Sequence, residues 1–345
     1  MPEISSDTYF AFRRRELQRE LAGRKLLYLD TNHWINLRHV VLKSPSEKAV
    51  YRDILRILLK LRREGRICCP ISFLLFMELM KQSDPKTRLI TAKLMDALSE
   101  GLCFQFPPEI GRIELRHFLL KSVVGREQEL RPWVWTKVGF LAGELLPEEP
   151  DIPIKTTRVI QKAWIDLMWA IRLEHILETL QSMPSMDFWE RYAAATNADA
   201  ASYRSLNLPY RGVLEREKAL LTRKLMEREL PSIGKEIWDA FPECRDPANL
   251  KPPSDADYSP WNFPSLRILA DINAADLVMG KKFDAHDMLD FQHAALAIPY
   301  CDAVFCDSPM ATRLRNKPCE FANVYGTTIL GRPEEIYDFL ITLAN

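Results

Sequence analysis

Hydrophobic positions along this chain follow two rhythms. Short, dense apolar runs occur in "KLLYL" at 25–29, "RICCPIS" at 66–72 and "DAVFCD" at 302–307. Runs this short and this uniformly apolar predict strands buried on both faces, as in a parallel sheet. Between them apolar residues recur at three- and four-residue spacing. That spacing predicts helices over 7–23, 46–63, 73–82, 86–99, 285–300 and from 333 onward, with a short helix near Ala311. Two further segments, "LCFQF" at 102–106 and "FANVY" at 321–325, read as strands. From 107 to 282 the pattern is helical throughout, with long stretches at 156–182, 186–206, 211–230 and 266–279 and a proline-rich connector at 246–265. The simplest architecture is one α/β core, residues 24–106 and 283–345, preceded by an N-terminal helix within 1–23 and interrupted by a mostly helical insertion, residues 107–282.

Composition narrows the class. At 345 residues and 47% hydrophobic, the chain can build a sizeable core or two domains. Lys plus Arg and Asp plus Glu number 47 each, so no global basic field advertises a nucleic-acid binder and any such surface must be local. The seven cysteines fall largely within apolar runs and have neither zinc-knuckle nor redox-pair spacing, which predicts reduced thiols. No segment resembles a signal peptide, and no apolar run approaches the roughly 18 residues of a membrane span. The expectation is a soluble, cytoplasmic protein without membrane contact. Serine-hydrolase elbows, P-loops and dinucleotide glycine motifs are absent.

Acids carry the candidate chemistry. Asp30 ends "LLYL" and Asp307 follows "AVFC", so both fall at the carboxyl ends of predicted strands, where open α/β sheets collect ligands. Asp30 equally suits the cap of a helix beginning near Trp34, and both readings stand at this point. Glu78 lies within "ISFLLFMELM", and Asp287 and Asp290 lie within "DMLDFQHAALAI", a helix apolar on most of its circumference. Carboxylates withdrawn from water cost several kcal/mol each unless arginine, backbone donors or a divalent ion compensates. Two strand-end and two helix-borne carboxylates can converge at one end of a parallel sheet. An all-oxygen donor set suits Mg²⁺ or Mn²⁺ better than zinc, and such a site hydrolyses phosphodiesters by activating water and stabilising the leaving oxygen.

The order and setting of these acids resemble the PIN-domain nucleases. That family places an Asp after the first strand, often followed by Thr-Asn, matched here by Asp30 in "YLDTNHW". A Glu in an early helix is matched by Glu78 in "SFLLFMEL", and an Asp with a small residue four positions on by Asp290 in "DFQHA". A last Asp after the next strand is matched by Asp307 in "VFCDSPM", and Asp287 resembles the extra acid of members with paired helix acids. The resemblance covers roughly 24–106 and 283–345. It implies a parallel α/β/α sandwich and metal-dependent, usually endonucleolytic cleavage of RNA. It also implies that Asp30, Glu78, Asp290 and Asp307 are catalytic and, with Asp287, hold Mg²⁺ or Mn²⁺. By the same analogy the setting is a toxin, a defence effector or RNA processing; separately, the helical insertion is expected to restrict access, select a structured substrate or bind a protein partner or inhibitor. The rivals are a DNA-directed nuclease and a non-catalytic binding module.

Neighbouring residues supply candidate substrate contacts. Asn32 could orient Asp30 or touch a phosphate. Lys281 and Lys282 immediately precede the acidic helix, and Arg313 opens "RLRNK" just after Asp307, so all three are candidate phosphate contacts. His293, three residues after Asp290, is expected to hydrogen-bond a carboxylate rather than to bind metal. Asp284 is expected to cap the helix or stay solvated.

Overall fold

Strand β1 (Lys25–Leu29) is apolar from Leu26 to Leu29, where it has neighbours on both edges. In the computed structural model, which describes residues 3–127, 129–148, 151–179, 190–198, 206, 208–246 and 262–345, Leu26 to Leu29 are all buried. Burial of such a side chain contributes about 1.5–3 kcal/mol, so β1 anchors the core. It pairs in parallel with β2 (Ile67–Cys68) on one side and with β5 (Ala303–Phe305) on the other. β5 pairs in turn with β6 (Thr328–Leu330), giving the order β2-β1-β5-β6. The chain is mostly helical around this small parallel sheet, an α/β arrangement. Among the described residues no helix is long and apolar enough to cross a membrane.

The strand order positions the site. From β1 the chain moves outward to β2 on one side, while β5 leads outward to β6 on the other. The carboxyl ends of β1 and β5 therefore flank the point at which the winding reverses, where open sheets leave a ligand-accepting crevice. A short antiparallel pair, β3 (Leu102–Phe104) with β4 (Trp135–Lys137), joins this sheet through a parallel bridge between Ile71 and Cys103. Helix Ala49–Arg63 packs on Pro333–Ala344, and helix Ala285–Ala297 packs on Pro264–Val278 and Phe73–Met80. The long helix Tyr210–Ala240 lies along Pro264–Val278 and Pro107–Val124, where Phe118, Leu119, Leu225, Ile233, Ile237 and Phe263 help form a second apolar cluster.

Three elements differ from the sequence reading, each for a local reason. The segment "FANVY" is a helix, Phe321–Tyr325, and the strand follows at Thr328–Leu330. Only Phe321 and Tyr325 of the five are buried, one helical turn apart, whereas alternation would have buried Asn323 between them. The stretch 107–282 is not helical throughout, because β4 lies within it and packs Trp135 against Phe104, the rings tilted by 39° with centroids 4.3 Å apart. The helix expected over 156–182 divides into Ile154–Ala170 and Leu173–Thr179. Asp96, from helix Pro85–Ser99, accepts hydrogen bonds from the Leu173 and Glu174 amides at 2.9 and 3.1 Å and so caps the second piece from outside. The expected helix at 186–206 is described only over 190–198 and at 206, and the connector only at 246 and 262–265.

Candidate metal centre

The ends of β1 and β5 are held in register by the Asp30 amide, which donates to Phe305 O at 2.8 Å. Each strand then turns directly into a helix. Asp30 caps Thr31–Val41, accepting from the Thr31 amide at 2.7 Å, so this helix starts three residues earlier than the pattern suggested. Asp307 caps Ser308–Arg315, accepting from the Met310 amide at 2.7 Å. Both residues are therefore caps, and both also line one cleft together with Tyr28, Asn32, Asp290, His293, Cys306 and Met310. Capping engages one carboxylate oxygen of each and fixes the direction of the other.

The surrounding scaffold is tight. His33 bridges Tyr51 OH at 2.8 Å and Cys306 O at 3.0 Å, and Trp34 Nε1 donates to Leu29 O at 3.0 Å, so the first helix is pinned to both strand ends. Gly331, after β6, lets the Asp307-capped helix approach. A Cβ there would lie 2.7 Å from Ser308 Cα and 2.8 Å from Ala311 Cβ, closer than real Cβ contacts.

Two helices bring the remaining donors. Ser72 caps Phe73–Met80 through the Leu75 amide and projects Glu78, which accepts from the Thr31 hydroxyl. Helix Ala285–Ala297 supplies Asp290 and, one turn later, His293. Ligand atoms of Asp30, Glu78 and His293 all lie within 4.8 Å of one another. His293 is 5% exposed. Its Nδ1 is 2.6 Å from Tyr28 OH, which is 2.8 Å from Ser72 Oγ. Its Nε2 is 3.2 Å from Glu78 Oε2, within ion-pair range, yet this buried atom has no partner in hydrogen-bond geometry. A buried ring nitrogen aimed at two carboxylates and left without a hydrogen bond fits a divalent ion, and this group could hold one.

Electrostatics support the same fit. Burial raises the Asp290 carboxyl to about 7, with the Asp30, Glu78 and Asp307 charges adding to the effect and His293 opposing it. Burial also raises Asp30, partly offset by His293 and by the Thr31 amide. For Glu78 burial acts upward, but His293, Thr31 and Lys81 outweigh it and hold the carboxyl below its usual value. His293 is raised: its burial acts downward and is overcome by Glu78, Asp30 and Asp290. One imidazole thus faces several carboxylates that oppose one another's ionisation, and a cation placed among them would relieve the conflict.

Not every predicted residue joins this group. Asp290 and Asp307 line the cleft but stand outside the close set of three. Asp287 is not brought in: it forms a capping box with Asp284, and its Oδ1 is 2.6 Å from Lys281 Nζ. Lys281 and Arg313 are engaged in ion pairs and contacts within the protein. Arg313 donates to the buried Asp276 and, at 3.2 Å, to Ile272 O, and lies over the Phe291 ring, while Lys281 Nζ is also 3.6 Å from Asp276. Lys282 and Asn32 are exposed. His293 takes a place in the donor set that the sequence reading gave to carboxylates alone. Its position one turn beyond Asp290 was the available signal.

The chain matches no family model, no curated protein and no solved structure.

Proposed function

We propose that the chain is a PIN-like, metal-dependent ribonuclease that cleaves phosphodiester bonds at the strand-end cleft. The observation that carries this reading is the convergence of Asp30, Glu78 and His293 within 4.8 Å, beside a cleft walled by Asp290 and Asp307. The parallel order β2-β1-β5-β6, with acids following two adjacent strands, supports the same reading. RNA as the polymer comes from the motif resemblance. Asp30, Glu78 and His293 would hold Mg²⁺ or Mn²⁺, which when bound supplies Lewis acidity toward water and the phosphate oxygens.

The chain's own groups do the rest. Asp290 and Asp307 keep the cleft negative, so a polyanionic backbone is repelled unless the centre is loaded. Asn32, exposed at the rim, offers an amide donor to a phosphate oxygen, and Lys282 offers charge for the flanking backbone. The helical insertion would narrow access to the cleft or carry a protein partner.

The test is cleavage of labelled single-stranded RNA, structured RNA and single-stranded DNA in Mn²⁺ or EDTA. Wild type is compared with Asp30→Asn/Asp307→Asn after both are shown to be folded. Cutting of RNA that needs Mn²⁺ and falls on the order of a thousandfold in the variant is expected, the scale on which loss of preorganised charge stabilisation acts. Cutting of DNA alone reassigns the polymer. No cutting by folded, Mn²⁺-loaded wild type overturns the reading in favour of a binding module.

A further inference from the structure

We infer, on the metal-centre reading above, that the site is a mixed imidazole–carboxylate centre for a divalent transition ion, that His293 Nε2 is the ligand selecting Mn²⁺ over Mg²⁺, and that Tyr28 is the positioning residue that makes it one. Mg²⁺ demands hard oxygen donors and sheds water reluctantly, whereas an imidazole nitrogen suits first-row transition ions, increasingly so beyond Mn²⁺, and is a poorer ligand for Mg²⁺ than for Mn²⁺. Two carboxylates alone would leave little to separate the two metals. The nitrogen is what tips the balance.

The proton order in the buried chain Leu75–Ser72–Tyr28–His293 determines whether Nε2 can ligate. Ser72 Oγ already accepts the Leu75 amide at 3.2 Å and retains a second lone pair. With Tyr28 O–H donating to that oxygen at 2.8 Å, the Tyr28 oxygen is left to accept Nδ1–H of His293 at 2.6 Å. Nε2 then carries the lone pair and faces Asp30 and Glu78. The reverse order would place a proton on Nε2, 3.2 Å from Glu78 Oε2, and an ion could then be ligated there only after that proton had left. Tyr28 lies on the central strand β1, fully buried, so the orientation of this ligand is built into the core of the sheet. Such outer hydrogen bonds to a metal-binding histidine typically carry 10–100-fold in metal affinity.

Pulsed electron paramagnetic resonance of the Mn²⁺-loaded full chain reads the ligand directly, and competition of Mg²⁺ against bound Mn²⁺ reads the selectivity. Wild type should show ¹⁴N coupling from an imidazole and a preference for Mn²⁺ of at least about tenfold. His293→Gln, checked by circular dichroism, should lose the coupling and most of the preference. Tyr28→Phe preserves the ring and the packing, and should weaken Mn²⁺ roughly 10–100-fold while affecting Mg²⁺ much less. Absence of nitrogen coupling in Mn²⁺-loaded wild type, or an unchanged preference in folded His293→Gln, overturns the mixed centre and leaves an oxygen-only site that the ribonuclease reading tolerates. Unchanged Mn²⁺ affinity in Tyr28→Phe overturns the positioning role. Nitrogen coupling without cleavage of any polymer overturns the ribonuclease reading and leaves this one standing.

Discussion

Two carboxylate neighbourhoods, one buried and one half-buried, lie along helix Ala285–Ala297, and the chain has treated them in opposite ways. At one, Asp276 is 1% exposed and receives Arg313 on one oxygen and Lys281 at 3.6 Å from the other. At the other, Asp30, Glu78 and Asp290 share a single histidine, and Asp290 is raised to about 7 chiefly by burial. The first closes its charge within the protein and stitches helix Pro264–Val278 to helix Ser308–Arg315. The second leaves its charge open at the mouth of a cleft. Buried carboxylates alone do not identify a site; what sets the second group apart is that one histidine faces three acids that oppose one another's ionisation.

The comparison is easiest to break at its closed end. Asp276→Asn leaves the Arg313 guanidinium, 19% exposed, without its counter-charge. Removing one partner of a buried pair strands the other, so the expected destabilisation is about 3 kcal/mol, read as a lower urea midpoint with an unchanged slope. An unchanged midpoint would mean that Asp276 is no better compensated than the open cluster.

Glu114 sharpens the contrast with a third solution. It is fully buried, accepts from Tyr300 OH at 2.6 Å and the Ser265 amide at 3.1 Å, leaves Oε2 unpartnered, and is raised by burial to about 7. Neutral donors satisfy it only in part, and no cation pairs with it among the described residues. Because its folded value lies above its unfolded one near 4.5, its contribution is fully present below pH 4.5 and is lost as pH rises through about 7. Between those limits stability should fall by about 3 kcal/mol from this group alone. Chemical denaturation across pH 4.5–8 should show the decline, and Glu114→Gln should flatten it. An equally steep decline in the variant would place the titrating group elsewhere.

What the sequence showed of this arrangement depended on how local the cause was. Asp30 and Asp307 were legible because an apolar run ending in a polar residue marks a strand end, and strand-end acids in a parallel sheet converge whatever the loops do. Glu78 was legible because an acid in a nearly all-apolar helix needs a reason. The contact of His293 with Tyr28, 265 positions earlier, was not legible, because no spacing reveals it. Lys281 and Arg313 looked available only while Asp276 was out of sight, since the helix that carries it belongs to the far end of the insertion. Asp287 was overread for a simpler reason: a capping box competes for any acid at the third position of a helix, and here it won. The misassigned strand at 321–325 follows the same rule, because five residues bounded by Gly326 satisfy either period until burial decides.

Asp290 tests the open end of the comparison with the smallest and most telling effect. In the metal-free protein its raised value near 7 means that ionisation above that pH works against the fold, the same sign as for Glu114. Asp290→Asn removes the charge while keeping the shape. It should stabilise the metal-free protein at pH 8 by about 2 kcal/mol, well short of the full shift because the cleft admits solvent screening. Added Mn²⁺ reverses the ranking, since a cation among these groups favours the ionised acid and stabilises the wild type more than the variant. Thermal melts of both proteins at pH 8, with and without Mn²⁺, should therefore cross. Parallel shifts would show that Asp290 does not feel the ion, and the negative charge of the cleft would then act on substrate alone.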